Sequence, residues 1–102
     1  MSRKIIPKSF ELGGHTIEVV FKEDLISDQG ALGRAKFSEG IIEVQSICEG
    51  AKISKSMQKQ TFVHELVHHI LYIMGSELYA DEKHTDSFSQ YLYQYLETHR
   101  FK

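Results

Sequence analysis

His64-Glu65-Leu66-Val67-His68 places two imidazoles four residues apart, with a carboxylate next to the first. On an α-helix, residues four apart differ by about 40° in direction and about 6 Å in rise, so both rings face one side and can reach one cation. Glu65 falls roughly 100° from His64, beside such a cation rather than on it, where a carboxylate can hold a water and take its proton. Imidazole and carboxylate donors suit Zn2+, and a catalytic zinc takes three protein ligands while keeping one position for water. The chemistry these residues point to is metal-assisted hydrolysis: zinc as cofactor, His64 and His68 as ligands, Glu65 as general base. A third ligand has to come from outside the motif.

The motif requires a helix, and the flanking residues supply one. Val63, Val67, Ile70, Leu71 and Met74 share one helical face while Phe62, Leu66 and Ile73 occupy another. An apolar arc this wide has to be covered on several sides, which predicts a central helix running from about Ser54 to a C-cap at Gly75. Burial also argues against a decorative His-Glu pattern, because uncompensated buried polar groups are costly.

A second helix is expected from Ala80 or Asp81 to about His99, with acidic residues in its first turn and an apolar stripe of Phe88, Leu92 and Tyr95. A short connection folds it back onto the first, making Asp81, Glu82, His84 and Asp86 the candidates for the third ligand. Helical phase does not choose among them. Asp81 and His84 point with Phe88, whereas Glu82 lies on a flank with Asp86, Ser89 and Tyr93. Ser89 and nearby Gln90 are small or slim enough for close helix approach. On that flank Glu82 can bind the metal while Asp86 accepts the second N–H of a ligand histidine.

Upstream, Phe10 and Leu12, then Ile17, Val19 and Phe21, alternate as strands do, with Gly13-Gly14 as a hairpin turn. Asp24 to Gly33 reads as a loop or irregular turn. Ala35-Lys36-Phe37 and Ile41-Ile42-Glu43-Val44 form a second hairpin candidate across Ser38-Glu39-Gly40. Ser46 to Lys52 fits either assignment. Strands first and helices after give an α+β class: a small antiparallel or mixed N-terminal sheet, the motif helix, then a glutamate-bearing helix. At 102 residues, a single domain over 1–102 is expected.

Twelve basic against fourteen acidic residues leave a formal charge of −2, which argues against a nucleic-acid or membrane-surface binder. No apolar run approaches a membrane span, and Met1 to Pro7 is not followed by a secretory hydrophobic region. The one cysteine cannot form an internal disulfide, so a reducing cytoplasm is the expected location. Cys48 is expected as a small buried residue. His69, about 100° from His68, reads as a packing or surface residue, and His15 and His99 as ordinary polar positions. Tyr91, Tyr93 and Tyr95 cannot all face one side, so at least one should be exposed.

His64-Glu65-x-x-His68 followed by Glu82-x-x-x-Asp86 resembles the gluzincin metallopeptidases. Thr61 to Leu71, with Asp81-Glu82 and Phe88, looks like small bacteriophage and prophage metallopeptidase-like proteins, loosely of the ImmA/IrrE and minigluzincin types. The likeness covers roughly positions 61–96, with an echo in Gly33 and the Ile41–Val44 strand. It implies a minimal zincin-like fold and a peptidase acting on a peptide or protein substrate. It also implies zinc at His64, His68 and Glu82, Glu65 as base, and Asp86 supporting a ligand histidine; His84, which departs from the family's pattern, is the alternative third ligand that the residues themselves offer. Tyr79, His84 and Tyr72 are candidates for stabilising the carbonyl oxygen in the transition state. In the gluzincin scheme the strand preceding the active helix pairs with extended substrate, which places Ile41 to Gln45 along the cleft. The alternative expectation is a metal-binding prophage regulatory or interaction protein with little hydrolytic activity.

Overall fold

Gly13 and Gly14 adopt positive φ values of 58° and 83°, which a hairpin turn of this kind requires, and they fold β1 (Ser9–Leu12) back onto β2 (His15–Lys22). The chain then passes through α1 (Leu25–Gln29), β3 (Gly33–Lys36), a single 3-10 turn at Phe37–Glu39 and β4 (Ile41–Gln45). A small hairpin of β5 (Ile47–Cys48) and β6 (Ala51–Lys52) leads into α2 (Lys55–Met74) and, after a short connection, α3 (Glu82–Thr98). This is the computed structural model of the chain, and it describes residues 6–99. Met1 to Ile5, part of the segment read for a secretory leader, lie outside them.

The sheet runs β1-β2-β4-β3. β2 and β4 are parallel, Val19 opposite Ile42 and Phe21 opposite Val44, while β1 and β3 are antiparallel edges. The fold is thus α+β, a mixed four-stranded sheet followed by two long helices. Ile17, Ile42 and Val44 form the buried core, and Phe62, Leu66 and Ile73 of α2 pack onto it together with Phe10, Leu12 and Val19. Each of the three core residues contributes about 1.5–3 kcal/mol by leaving water. The opposite side of α2 is closed as well, with Val63, Val67 and Leu71 buried. Met74, grouped with them by helical phase, is 71% exposed because it ends the helix. Among the described residues no helix is long and apolar enough to cross a membrane.

Four sequence expectations are corrected here. The stretch from Asp24 to Gly33 is not merely a loop: it contains α1, whose first residue, Leu25, is buried. The buried Gln45 side chain accepts the Leu25 N–H (2.8 Å) and donates to Glu23 O and Ile47 O, a tether from twenty residues away that local pattern does not carry. Cys48 is exposed, since its two-residue strand stands outside the main sheet and nothing covers it. β4 is interior, paired on both sides, so Ile41 to Gln45 cannot receive a substrate strand; the edge strand on the cleft side is β3.

The fourth correction concerns α3. Its Phe88 and Tyr95 are 49% and 57% exposed, whereas Thr85 and Ser89 are buried against α2. Small side chains let the two helix backbones come close, and the antiparallel pair is fastened by a Ser56–Tyr93 hydroxyl hydrogen bond (2.9 Å) and a Lys59–Glu97 ion pair (2.7 Å). Phe88 and Tyr95 therefore face outward, while Leu92, the third residue of the expected stripe, is half-buried. Tyr91, at 72% exposure, satisfies the expectation that one of the three alternating tyrosines would be in solvent.

Candidate metal centre

α2 begins where the Ser54 hydroxyl accepts the Met57 N–H (3.1 Å) and ends at Gly75 with φ 76°, so the 64–68 motif lies well inside regular helix. α3 begins where the Asp81 carboxylate accepts the His84 N–H (2.9 Å). Asp81 is thereby a helix cap rather than a metal donor, and Glu82 is the first residue of the helix, pointing back at α2. His64, His68 and Glu82 each offer a ligand atom, all within 4.8 Å of one another. His64 Nε2 lies 3.1 Å from Glu82 Oε1, and His68 Nε2 lies 3.1 Å from Glu82 Oε2. Ligand atoms about 2.0–2.1 Å from a tetrahedral zinc stand about 3.3 Å apart, close to these separations.

The hydrogen bonding of His68 provides a sharper test of fit. Its Nδ1 sits 2.7 Å from the Tyr79 carbonyl oxygen, which can only accept, so Nδ1 carries the proton. In the neutral ring Nε2 then presents a lone pair to the Glu82 carboxylate, and two acceptors face each other at 3.1 Å. A proton on Nε2, or a cation bound by both groups, satisfies this pair, and a carbonyl behind the ring is the usual support for a ligand histidine. His68 is buried and Thr85 Oγ1 approaches the same Nδ1 at 3.4 Å, so the ring cannot easily turn away. The donor set fits a divalent metal.

Asp86 lies one turn beyond Glu82, its Oδ1 3.7 Å from His64 Nδ1. That is beyond hydrogen-bond length but is the nearer side for the second N–H of His64. Asp86→Ala is expected to weaken zinc affinity about 10–100-fold while keeping one ion per chain, the range for a residue that orients a ligand, measurable by competition with a chelating dye.

Glu65 sits beneath the cluster, buried at 8% exposure against β3. Burial, with a smaller contribution from the charge of Glu82, raises its carboxyl to about 8. The backbone of Gly33 is the reason it fits: a Cβ there would collide with Thr61 Cγ2 and meet Glu65 Oε2 at 3.0 Å. Gly33→Val is accordingly expected to cost about 1–3 kcal/mol by overpacking and to displace the carboxylate, which urea unfolding of the metal-free variant would register.

A cleft of about 420 Å3 opens beside these groups, lined by Gly33, Arg34 and Ala35 of β3 together with Glu65, His68 and Glu82. Sequence reasoning did not single out Arg34 or Phe37 for the site. The Phe37 ring packs on Tyr72 (4.6 Å, stacked), Tyr79 (5.3 Å), His69 (5.2 Å) and His68 (6.4 Å), fixing the wall behind the site. The Tyr72 and Tyr79 rings both pack on Phe37 while staying 41% and 39% exposed, and the Tyr79 carbonyl meets His68 Nδ1. His84 lies against Phe88 (6.1 Å) and is not part of the cluster. His69 is a packing residue: fully buried, its Nε2 donates to Ile41 O (3.1 Å), and burial lowers its proton affinity. A large aromatic at the head of the Ser38-Glu39-Gly40 turn, where a polar residue is commoner, is the one signal that could have marked Phe37.

No protein-family model, curated protein or solved structure matches the chain.

Proposed function

We propose that the chain is a zinc-dependent metallopeptidase in which His64, His68 and Glu82 hold the metal and Glu65 is the general base. The observation that carries this reading is the convergence of two imidazoles and a carboxylate, with the Tyr79 carbonyl behind His68 and a buried carboxyl alongside. Zinc, when bound, supplies a Lewis acid that acidifies water and polarises a carbonyl. Glu65 accepts the proton of the attacking water and delivers it to the departing nitrogen, and its elevated proton affinity suits both halves of that exchange. A cation a few ångströms away favours the ionised form and draws Glu65 back toward the base.

Substrate lies along β3. Gln45 N–H donates to Leu32 O (2.8 Å), and β3 pairs Gly33 with Val44 and Arg34 with Glu43. Hydrogen-bonded pairs alternate in an antiparallel ladder, so Leu32, Arg34 and Lys36 bond inward to β4. Gly33 and Ala35 then turn their N–H and C=O groups to the free edge beside the metal ligands. An extended peptide added there gains main-chain hydrogen bonds with little sequence selectivity.

The side chain of Glu82 is 75% exposed, so the cleft is walled mainly from the β3 side. That openness favours a second reading, a metal-dependent interaction protein that captures a strand without cutting it. The test is incubation of the zinc-loaded chain with a pool of unfolded polypeptides, followed by mass spectrometry of new termini. New termini that disappear with a chelator support the peptidase; intact polypeptides throughout overturn it.

A further inference from the structure

We infer that α3 is a metal-gated element: it docks only loosely on α2 by itself, and the ion held by His64, His68 and Glu82 latches it in place. The inference rests on the metal reading above and adds to it how the centre is assembled.

The two helices are anchored very differently. α2 buries Val63, Val67 and Leu71 and packs Phe62, Leu66 and Ile73 onto the sheet core. Of the 17 residues of α3, only Thr85 and Ser89 are buried, both small and polar. Leu92 and Tyr93 are half-buried, while Phe88, Tyr91, Tyr95 and Leu96 are exposed. Apolar burial is the main force holding elements together, so the core fixes α2 and does little for α3. The direct ties of α3 to α2 are polar: the Ser56–Tyr93 hydrogen bond and the Lys59–Glu97 ion pair. Water competes for both, so each contributes little net. A segment with few buried apolar contacts opens at lower cost than the whole domain. Undocked, a helix of this length is marginal in water, so opening also releases its backbone hydrogen bonds.

The metal donors straddle this division. His64 and His68 stand one turn apart on the anchored helix, and Glu82 is the first residue of the loosely held one. A cation bound by all three joins the helices where α3 begins, and it meets its full donor set only in the docked form. A ligand that prefers one form shifts the population toward it by its difference in affinity. Ala80 and Glu82 also line the cleft beside β3, so the same opening removes one of its walls. Opening of α3 thus bares the two imidazoles for metal entry and loss, and metal binding completes the cleft.

Hydrogen–deuterium exchange of the full chain, read by mass spectrometry of peptic fragments, tests this with and without zinc. In the metal-free chain the amides of 86–98 should exchange at least about 10-fold faster than those of β4, as a sub-global opening requires. Zinc at 100 times its dissociation constant should slow them by about 10–100-fold. In Glu82→Ala at the same zinc concentration they should keep the metal-free rate. Amides of α3 that exchange in step with β4 in the metal-free chain overturn the inference, as does bound zinc that leaves α3 unslowed. Those results leave the metal reading standing, whereas a chain that takes up no zinc in competition with a chelating dye overturns both.

Discussion

Glu65→Gln is expected to lower peptide hydrolysis by about 10²–10⁴-fold while leaving zinc stoichiometry at one per chain, because the amide keeps the shape of the base but cannot take a proton. The same substitution has an opposite effect on the metal-free protein. Folding raises the Glu65 carboxyl from 4.5 to about 8, so between those values the folded state holds a proton that the unfolded chain has released. Stability therefore falls as pH rises through that window, by up to about 1.4 kcal/mol per pH unit from this one group. The glutamine variant loses that slope, and at pH 8 without metal it should be the more stable protein by roughly 2–4 kcal/mol. Urea unfolding at pH 5 and pH 8, with and without chelator, checks the sign. A Glu65→Gln variant that is less stable than the parent at pH 8 would mean Glu65 is not held in a site that resists its charge.

His68→Ala is expected to reduce zinc affinity by at least a few hundred-fold. An apparent binding energy of about 10–16 kcal/mol for a protein zinc site, shared among its ligands, gives about 3–5 kcal/mol to each. His68 should also be the most costly ligand to remove for the fold, since its Nδ1–H otherwise satisfies the Tyr79 carbonyl and its ring supports Phe37. In the parent, zinc at 100 times its dissociation constant adds about 2.7 kcal/mol, which for a domain of this size raises Tm by about 10–20 °C. Glu82→Ala should lose most of that shift at little cost to the metal-free protein, because the Glu82 side chain is largely in solvent. Differential scanning calorimetry with stepped zinc separates the two variants. Equal zinc-dependent shifts in parent and Glu82→Ala would remove Glu82 from the site.

Both long helices were readable in the sequence because each carries its own punctuation: Ser54 and Gly75 on α2, Asp81 before α3. The hairpins announced themselves through Gly13-Gly14 and the Ser38-Glu39-Gly40 tip. His64 and His68 come together as the motif implied; helical phase left Asp81, Glu82, His84 and Asp86 open as the third donor, and it is Glu82, the one the resemblance implied, that meets them, with the buried Ser89 letting the helices approach. What escaped was non-local. The position of β4 inside the sheet, rather than at its edge, depends on a parallel pairing across α1 and β3 that no local pattern encodes. The tether from Gln45 to α1, the Tyr79 carbonyl behind His68 and the Phe37 hub are contacts between segments distant in sequence. The misplaced stripe on α3 has a different cause. Apolar residues at helical spacing imply a packed face, but close approach of two helices favours small residues, so Thr85 and Ser89 took the buried side instead.

Anomalous diffraction at the zinc edge, from crystals of the chain grown with one equivalent of zinc, tests the central claim most directly. The account predicts one peak per chain, about 2.0–2.1 Å from His64 Nε2 and His68 Nε2 and about 2.0–2.2 Å from a Glu82 oxygen, with one position left open to solvent near Glu65. A peak elsewhere, or none between the two imidazoles, would contradict it.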